Sequence, residues 1–340
     1  MAYRIDDFSK VEKLFDNWPF PRWDTVMNQK VKIYADDPVS PKSAVGFLGS
    51  WVYCAGEPNK KLIMRRQKEW FGLFPQNKKW EKLIKECFPD APKDTRYALK
   101  QDAIFDRKKL QHYIDVLPEE YELKKIDSKI YTFIVKSDDE DIEELVDWFD
   151  SKKQFLENGL GYVVMKEGKV VGGASTAYRF PKGIDIEVDV IRSERRKGLA
   201  SAASAKLILD CLDRGWRPTW DAANMKSVYL AEKLGYEFDY KYHCYWISPI
   251  FMKTIKNPDK TKWESYCGKY ETNCEDFKLT DVWMKDGDLY GKASNEEKNN
   301  FTFKFYPVGK NKFGRRDGMA IVTFEDGYLV IDDIKCNKIS

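Results

Sequence analysis

Between Ile184 and Ala200 the chain sets three carboxylates beside a basic, glycine-containing turn. Asp185, Glu187 and Asp189 are spaced by two in the alternating run Ile184-Asp-Ile-Glu-Val-Asp-Val-Ile191. That spacing puts them on one face of a strand, opposite Ile184, Ile186, Val188 and Val190. Such a face could draw in an ammonium group and take its proton, directly or through water, with Glu187 the first choice as base and Asp189 the second. It is equally what the solvated side of a half-exposed strand looks like. The strand empties into Arg195-Arg196-Lys197-Gly198-Leu199-Ala200, which continues as a helix of small and apolar residues. A strand that stops at such a turn leaves the free N–H groups of the next helix pointing outward, with the positive end of its dipole behind them, and a diphosphate fits there. Taken by itself, the turn is also readable as a helix start with solvated basic side chains.

The elements that must position these residues lie in a block of about 127–255. A strand is expected at Ile130 to Val135, followed by a helix from Asp138 to Phe155 whose Ile142, Leu145, Val146 and Phe149 fall at helical spacing. The acids Asp138-Asp-Glu-Asp141 read as the negative first turn that a helix dipole favours. Tyr162-Val-Val-Met165 and Val170 to Tyr178 form a hairpin about Glu167-Gly168, and the acid-bearing strand comes next. After the basic turn come a long helix from about Gly198 to Asp213, stopped by Gly215, and a short strand from Arg217 to Asp221. A helix then runs from the cap Asn224 to the stop Gly235, and an aromatic strand from Tyr236 to Ile247 closes the block.

The block before it, 1–126, has a short helix at Phe8 to Phe15 and an aromatic turn from Trp18 to Trp23. Strand-like Val31 to Tyr34, Ala44 to Leu48 and Trp51 to Cys54, a helix from Asn77 to Cys87 and a strand at Tyr97 to Lys100 make it a mixed α/β unit without a catalytic motif. Its aromatics, Trp18, Phe20, Trp23, Trp51, Trp70 and Phe71, read as core. After Asn257-Pro258-Asp259, the block 259–340 has short alternating strands separated by Asp286-Gly287, Gly309, Asp317-Gly318 and Asp326-Gly327, the rhythm of a small antiparallel barrel or half-barrel.

With 340 residues and 43% hydrophobic content, the chain has room for two or three domains. Its 58 basic and 55 acidic side chains nearly cancel to +3, which argues for neither nucleic acid nor an anionic membrane as partner. No apolar run is long enough for a membrane span, the N-terminus lacks the apolar core of a signal peptide, and a cytoplasmic protein is expected. Seven scattered cysteines without a CxxC pair fit reduced thiols, and with only His112 and His243 available no metal centre is expected.

Neither a Walker loop nor a dinucleotide fingerprint occurs. What remains is the order strand, Arg-x-x-Gly-x-Ala, helix, short strand, Asn-capped helix, Leu234-Gly235-Tyr236. In this order the chain from about Ile130 to Ile247 resembles the GCN5-related N-acetyltransferase (GNAT) family, whose pyrophosphate loop is matched by Arg195, Gly198 and Ala200. The stretch from Pro218 to Gly235 is also similar to the zwittermicin-resistance-type branch, and Tyr266 to Glu271 resembles the start of a small lipocalin-like β domain. The resemblance implies an α+β (mixed α/β) architecture. A GNAT fold with a splayed, mostly antiparallel sheet would be preceded by a degenerate GNAT-like domain and followed by the small barrel.

The resemblance further implies acetyl-CoA as cofactor and an acetyl transfer to the amine of a small molecule by direct attack. N–H groups from Arg196 through Lys197, Gly198, Leu199 and Ala200 to Ser201 would hold the diphosphate of coenzyme A, with Arg195, Arg196 and Lys197 lending charge. Val188, Val190 and Ile191 would offer backbone groups to the pantetheine arm, which adds like a further strand where the strand containing Pro218 parts from them. Asn224, a helix cap on its own account, and Ser227 would make second contacts to coenzyme A. One departure stands out. The position at which many relatives carry a general-acid tyrosine is Ala231; Tyr229 points some 200° away at about 100° per residue and reads as packing. Tyr236, Tyr240, Tyr245, His243 or a water is left to protonate the leaving thiolate. The missing tyrosine also motivates an alternative, a non-catalytic acyl-CoA-binding sensor. The C-terminal module could shape the substrate pocket, bind a ligand or mediate a homodimer.

Overall fold

A computed structural model of the chain describes residues 2–15, 32–65, 70–100, 102–137, 139–272, 274, 277–295, 300–316, 320–331 and 334–340. The expected aromatic turn at 18–23, Asp138 and the Asp317-Gly318 turn lie outside the described residues. Two units divide the chain: one comprises 2–15, Lys32–Asp94 and Cys244–Ser340, the other Thr95–His243. Among the described residues no helix is long and apolar enough to cross a membrane.

In the second unit the elements are α1 (Arg107–Asp115), β1 (Glu122–Lys125), α2 (Ser128–Ile134), α3 (Glu140–Asp147), α4 (Lys152–Asn158), β2 (Gly161–Lys166), β3 (Lys169–Phe180), β4 (Gly183–Val190), α5 (Leu199–Asp213), β5 (Arg217–Thr219), β6 (Asp221–Ala222) and α6 (Met225–Leu234). One sheet has the order β5-β4-β3-β2-β1, antiparallel except for the β4–β5 pair. The parallel pairing is short: Gly183, Ile184 and Asp185 face Arg217, Pro218 and Thr219. Beyond Trp220 the chain leaves β4, and Asp221 and Ala222 pair with Ala98 and Tyr97 instead. From Ile186 onward, among the described residues, the outer edge of β4 therefore has no strand beside it, which is the expected splay.

α5 packs on this sheet with Ala203, Leu207 and Cys211 on one stripe, and these together with Ala202, Ala205 and Ile208 are fully buried. Small residues let helix and sheet approach closely. The helix ends in a Schellman motif: Gly215 has φ +66°, its N–H bonds Leu212 C=O at 3.1 Å, and Trp216 N–H bonds Cys211 C=O at 2.8 Å. Gly235, at φ +117°, closes α6 in the same manner.

Two local expectations are corrected. Ile130 to Val135 is not a strand but part of α2: Asp127 accepts the N–H groups of Lys129 and Ile130, and Ile130, Tyr131 and Ile134 are buried on one helical face. The capping carboxylate outweighs the β-branched alternation. The helix expected from Asp138 to Phe155 is two helices, because Ser151 caps α4 by accepting Gln154 N–H and so interrupts the run.

In the first unit the strands Tyr3–Ile5, Lys32–Ala35, Ser43–Leu48 and Trp51–Gly56 are antiparallel neighbours, and Phe71–Pro75 lies parallel to Trp51–Gly56. The helix Lys78–Cys87 begins at Asn77, as expected, with Trp80 and Ile84 in the core. The C-terminal sheet has nine antiparallel strands, and its two edge strands, Phe301–Lys304 and Tyr306–Gly309, are separated only by Phe305. A sheet whose edges are joined by one residue must curl back on itself, so it forms a nearly closed barrel. Its interior is filled by Tyr266, Phe303, Phe305, Phe313 and Phe324.

Candidate active site and cofactor groove

The three acids of β4 have different surroundings. Asp185 is buried, 3% exposed, and accepts the Thr219 hydroxyl at 2.8 Å, so it serves as a latch between β4 and β5. Glu187 is half-buried: Oε1 accepts Val188 N–H at 3.1 Å and Oε2 accepts Trp148 Nε1–H at 2.9 Å. Asp189 is half-buried, and carboxylate oxygens of Glu144, Glu187 and Asp189 lie within 4.8 Å of one another. Burial, then the charge of Glu144, pushes the Glu187 pKa up to about 7, while the Val188 and Trp148 N–H groups pull in the other direction. Sequence reading did not find Glu144 or Trp148. They are one helical turn apart at the end of α3, off the apolar stripe, and nothing in local spacing ties them to a strand some forty residues later.

Beyond β4 the backbone turns sharply. Arg196 has φ +70° and Gly198 φ +87°. No atom lies within 4 Å of where a Cβ on Gly198 would sit, so the glycine answers a backbone requirement rather than crowding within the chain. Among the described residues no side chain caps α5, and its first intrahelical bond runs from Ala202 N–H to Gly198 C=O at 3.0 Å. The N–H groups of Leu199, Ala200 and Ser201 therefore form an uncapped helix start, where the dipole favours anions. At α6, by contrast, Asn224 Oδ1 accepts Ser227 N–H at 3.1 Å, and Ser227 Oγ accepts Trp220 Nε1–H at 3.0 Å.

A groove of about 700 Å³ runs along these elements. Of the residues expected at a cofactor, Val188, Val190, Arg195, Arg196, Gly198, Leu199, Ala200, Ser201, Asn224 and Ser227 line it, together with Asp189. Ile191 and Lys197 are not among its lining residues. Ile191 donates its N–H to Val171 C=O at 3.1 Å and packs in the core. Lys197 Nζ is held by Glu194 Oε2 at 2.7 Å. Arg195 Nε donates to Val190 C=O at 2.8 Å and so ties the turn to the strand end. Glu194 also accepts the Tyr121 hydroxyl at 2.5 Å, and Lys197, Tyr121 and Lys166 together bring its pKa down to about 2. The Ile191 bond fixes the alternation of the β4 backbone: odd residues turn toward β3, and Val188 and Val190 turn toward the open edge.

Lys226, Tyr229, Leu230 and Lys233 of α6 also line the groove. Their spacing of three and four is one helical stripe, but charged residues at such spacing look like any solvated face. Tyr229, expected to pack, is 63% exposed. Ala231 is buried in the core. Tyr236 donates its hydroxyl to Pro218 C=O at 3.2 Å, Tyr245 donates to Glu81 at 2.5 Å, and His243 Nδ1 lies 3.2 Å from Thr95 Oγ1. Tyr240 is half-buried and is not part of the groove lining.

The family model described as GNAT acetyltransferase matches residues 12–245. The crystal structure of a GCN5-related N-acetyltransferase-like protein from Streptococcus suis 89/1591 is 40% identical, covering 70% of this chain and 98% of that one, with a TM-score of 0.65. The uncharacterized N-acetyltransferase YdfB of Bacillus subtilis (strain 168) is 25% identical over 257 residues, 70% of this chain and 95% of that protein.

Proposed function

The chain belongs to the GNAT acetyltransferase family and is an acyl-CoA-dependent acyltransferase, and from that premise we propose that it carries acetyl from acetyl-CoA to the amine of a small molecule by direct attack, with Glu187 as the base. One continuity supports this above all. The groove containing the uncapped start of α5 also reaches Asp189, and Glu187 stands beside Asp189 with a carboxyl that changes charge near neutrality.

The residues suit the cofactor. Free N–H groups at Leu199 to Ser201 would take the diphosphate, with Arg196, Lys226 and Lys233 supplying positive charge along the groove. Val188 and Val190, whose backbone faces the open edge of β4, would hold an amide-bearing arm in the manner of an added strand. Acetyl-CoA, when bound, supplies an acyl carbon activated as a thioester. The acids Glu144, Glu187 and Asp189 would attract an ammonium group, and ionised Glu187 would take its proton so that the nitrogen lone pair is free. Among the described residues no cysteine lines the groove, which favours direct attack over a thiol-bound acyl group.

Thiol release from acetyl-CoA, measured across a panel of small primary amines, tests this reading. At least one amine should stimulate release, and Glu187→Gln should lower kcat by roughly 10²-fold with KM for acetyl-CoA unchanged. Release that no amine stimulates, or a Glu187→Gln enzyme with full kcat, would sink it.

A further inference from the structure

Trp148 lies in the turn that closes α3, between the helix and buried Phe149, and its ring rests 4.8 Å from that of Tyr178 at 60°. The indole is therefore placed by packing as well as by the bond it makes. Its Nε1–H reaches Glu187 Oε2 at 2.9 Å. An indole N–H only donates, so it can neither take nor return a proton during transfer. What it can do is fix one carboxylate oxygen and favour the ionised form.

We propose that Trp148 is a positioning residue for the transfer reaction, holding Glu187 in the orientation and charge state in which it accepts the proton of the incoming amine. The proposal rests on the reading of Glu187 as the base. Among the described residues the charges of Glu144 from α3 and Asp185 from β4 itself act on Glu187, and a carboxylate oxygen of Asp189 lies within 4.8 Å of one of its own. From β3 the residue opposite is Ser175, which is uncharged and donates its hydroxyl to Leu145 C=O. Burial first, and then these acids, favour the protonated carboxyl, and two N–H groups oppose them. One of the two, Val188 N–H, belongs to the β4 backbone at the open edge and is within the groove lining. The indole is the side-chain donor that stays with Glu187 when that backbone group is engaged elsewhere.

The test is a pH titration of the full chain labelled with ¹³C at the glutamate carboxyls. The resonance missing in Glu187→Gln should titrate near 7 in the wild type. In Trp148→Phe, which keeps a ring against Tyr178 but loses the N–H, its midpoint should rise by roughly one pH unit. In Glu144→Gln, which removes a like charge, it should fall. In the unmodified protein one of the eleven tryptophan indole N–H signals should shift with the same midpoint and stop doing so in Glu187→Gln, a readout that survives even if Trp148→Phe does not fold. An unmoved Glu187 midpoint in folded Trp148→Phe, or no indole signal that follows Glu187, overturns the proposal. If no resonance lost in Glu187→Gln titrates near neutrality, it is the assignment of Glu187 as base that fails instead.

Discussion

Glu187 combines two properties that pull against each other. A carboxyl that is half-buried beside Glu144 suits proton acceptance at neutral pH, but the same surroundings make its charged form costly to the fold. Glu187 binds its proton more tightly in the folded chain, at about 7, than at its ordinary 4.5. Its contribution to stability is therefore full below about pH 4.5 and is lost as pH rises through about 7. Activity should run the other way, with kcat/KM rising through about pH 7 to a plateau. Glu187→Gln should accordingly melt higher than the wild type at pH 8, by roughly a few degrees, with the gain fading toward pH 4.5. Calorimetry at the two pH values checks this, and an equal difference at both would contradict it. The spacing of the three acids was legible in the sequence, but their division of labour was not. Asp185 and Glu187 each lie between two β-branched apolar residues along the strand; what separates them is Thr219 on one side and Trp148 on the other, contributed by distant segments.

α5 joins the cradle to the core, and its two ends make a controlled comparison. Gly198 and Gly215 both have left-handed φ, +87° and +66°, and neither has an atom within 4 Å of a would-be Cβ. Valine at either should cost about 1–2 kcal/mol from backbone strain alone. Only Gly198 lies in the groove. Gly198→Val should therefore weaken acetyl-CoA binding by roughly tenfold or more, while Gly215→Val should lower the melting temperature and leave affinity within about twofold. Titration calorimetry with both variants decides it; equal losses of affinity would mean that helix stability, not the cradle, governs binding. Leu207→Ala, in the fully buried stripe of the same helix, should destabilise the fold by about 2–5 kcal/mol. Long elements with caps and stops, α5 and α6, could be read from the sequence because side chain, turn and period agree there. α2 could not, since Ile130, Thr132 and Ile134 alternate like a strand, and only the reach of Asp127 to two N–H groups settles the helix.

The chain contains two sheets of the same plan. In each, four antiparallel strands lead to a fifth that runs parallel to the fourth after a crossover: Trp51–Gly56 to Phe71–Pro75 in one, β4 to β5 in the other. Such a likeness is what a degenerate GNAT-like unit in the N-terminal part would show, an expectation that came from the family resemblance, the mixed α/β character of the block and its lack of a cradle. The two crossovers differ in what they offer an anion. In the first sheet the strand ends at Gly56, where a Cβ would meet Lys42 C=O at 2.2 Å, and the chain continues through Glu57. The helix that follows, Lys60–Ile63, is a single turn, and Asn59 Oδ1 already accepts its Lys61 N–H at 3.0 Å. At β4 the corresponding helix has fifteen residues, an aligned dipole and no capping side chain. Helix length and an uncapped N-terminus favour the second as an anion site, because a dipole needs several turns to build and a side chain that caps an N–H competes with a ligand for it. One acetyl-CoA should therefore bind per chain, with the enthalpy titration reaching its midpoint at a stoichiometry of about one, and Gly198→Val should abolish or weaken that single transition. A second transition of similar affinity that persists in Gly198→Val would show that the N-terminal sheet kept a cofactor site without this cradle.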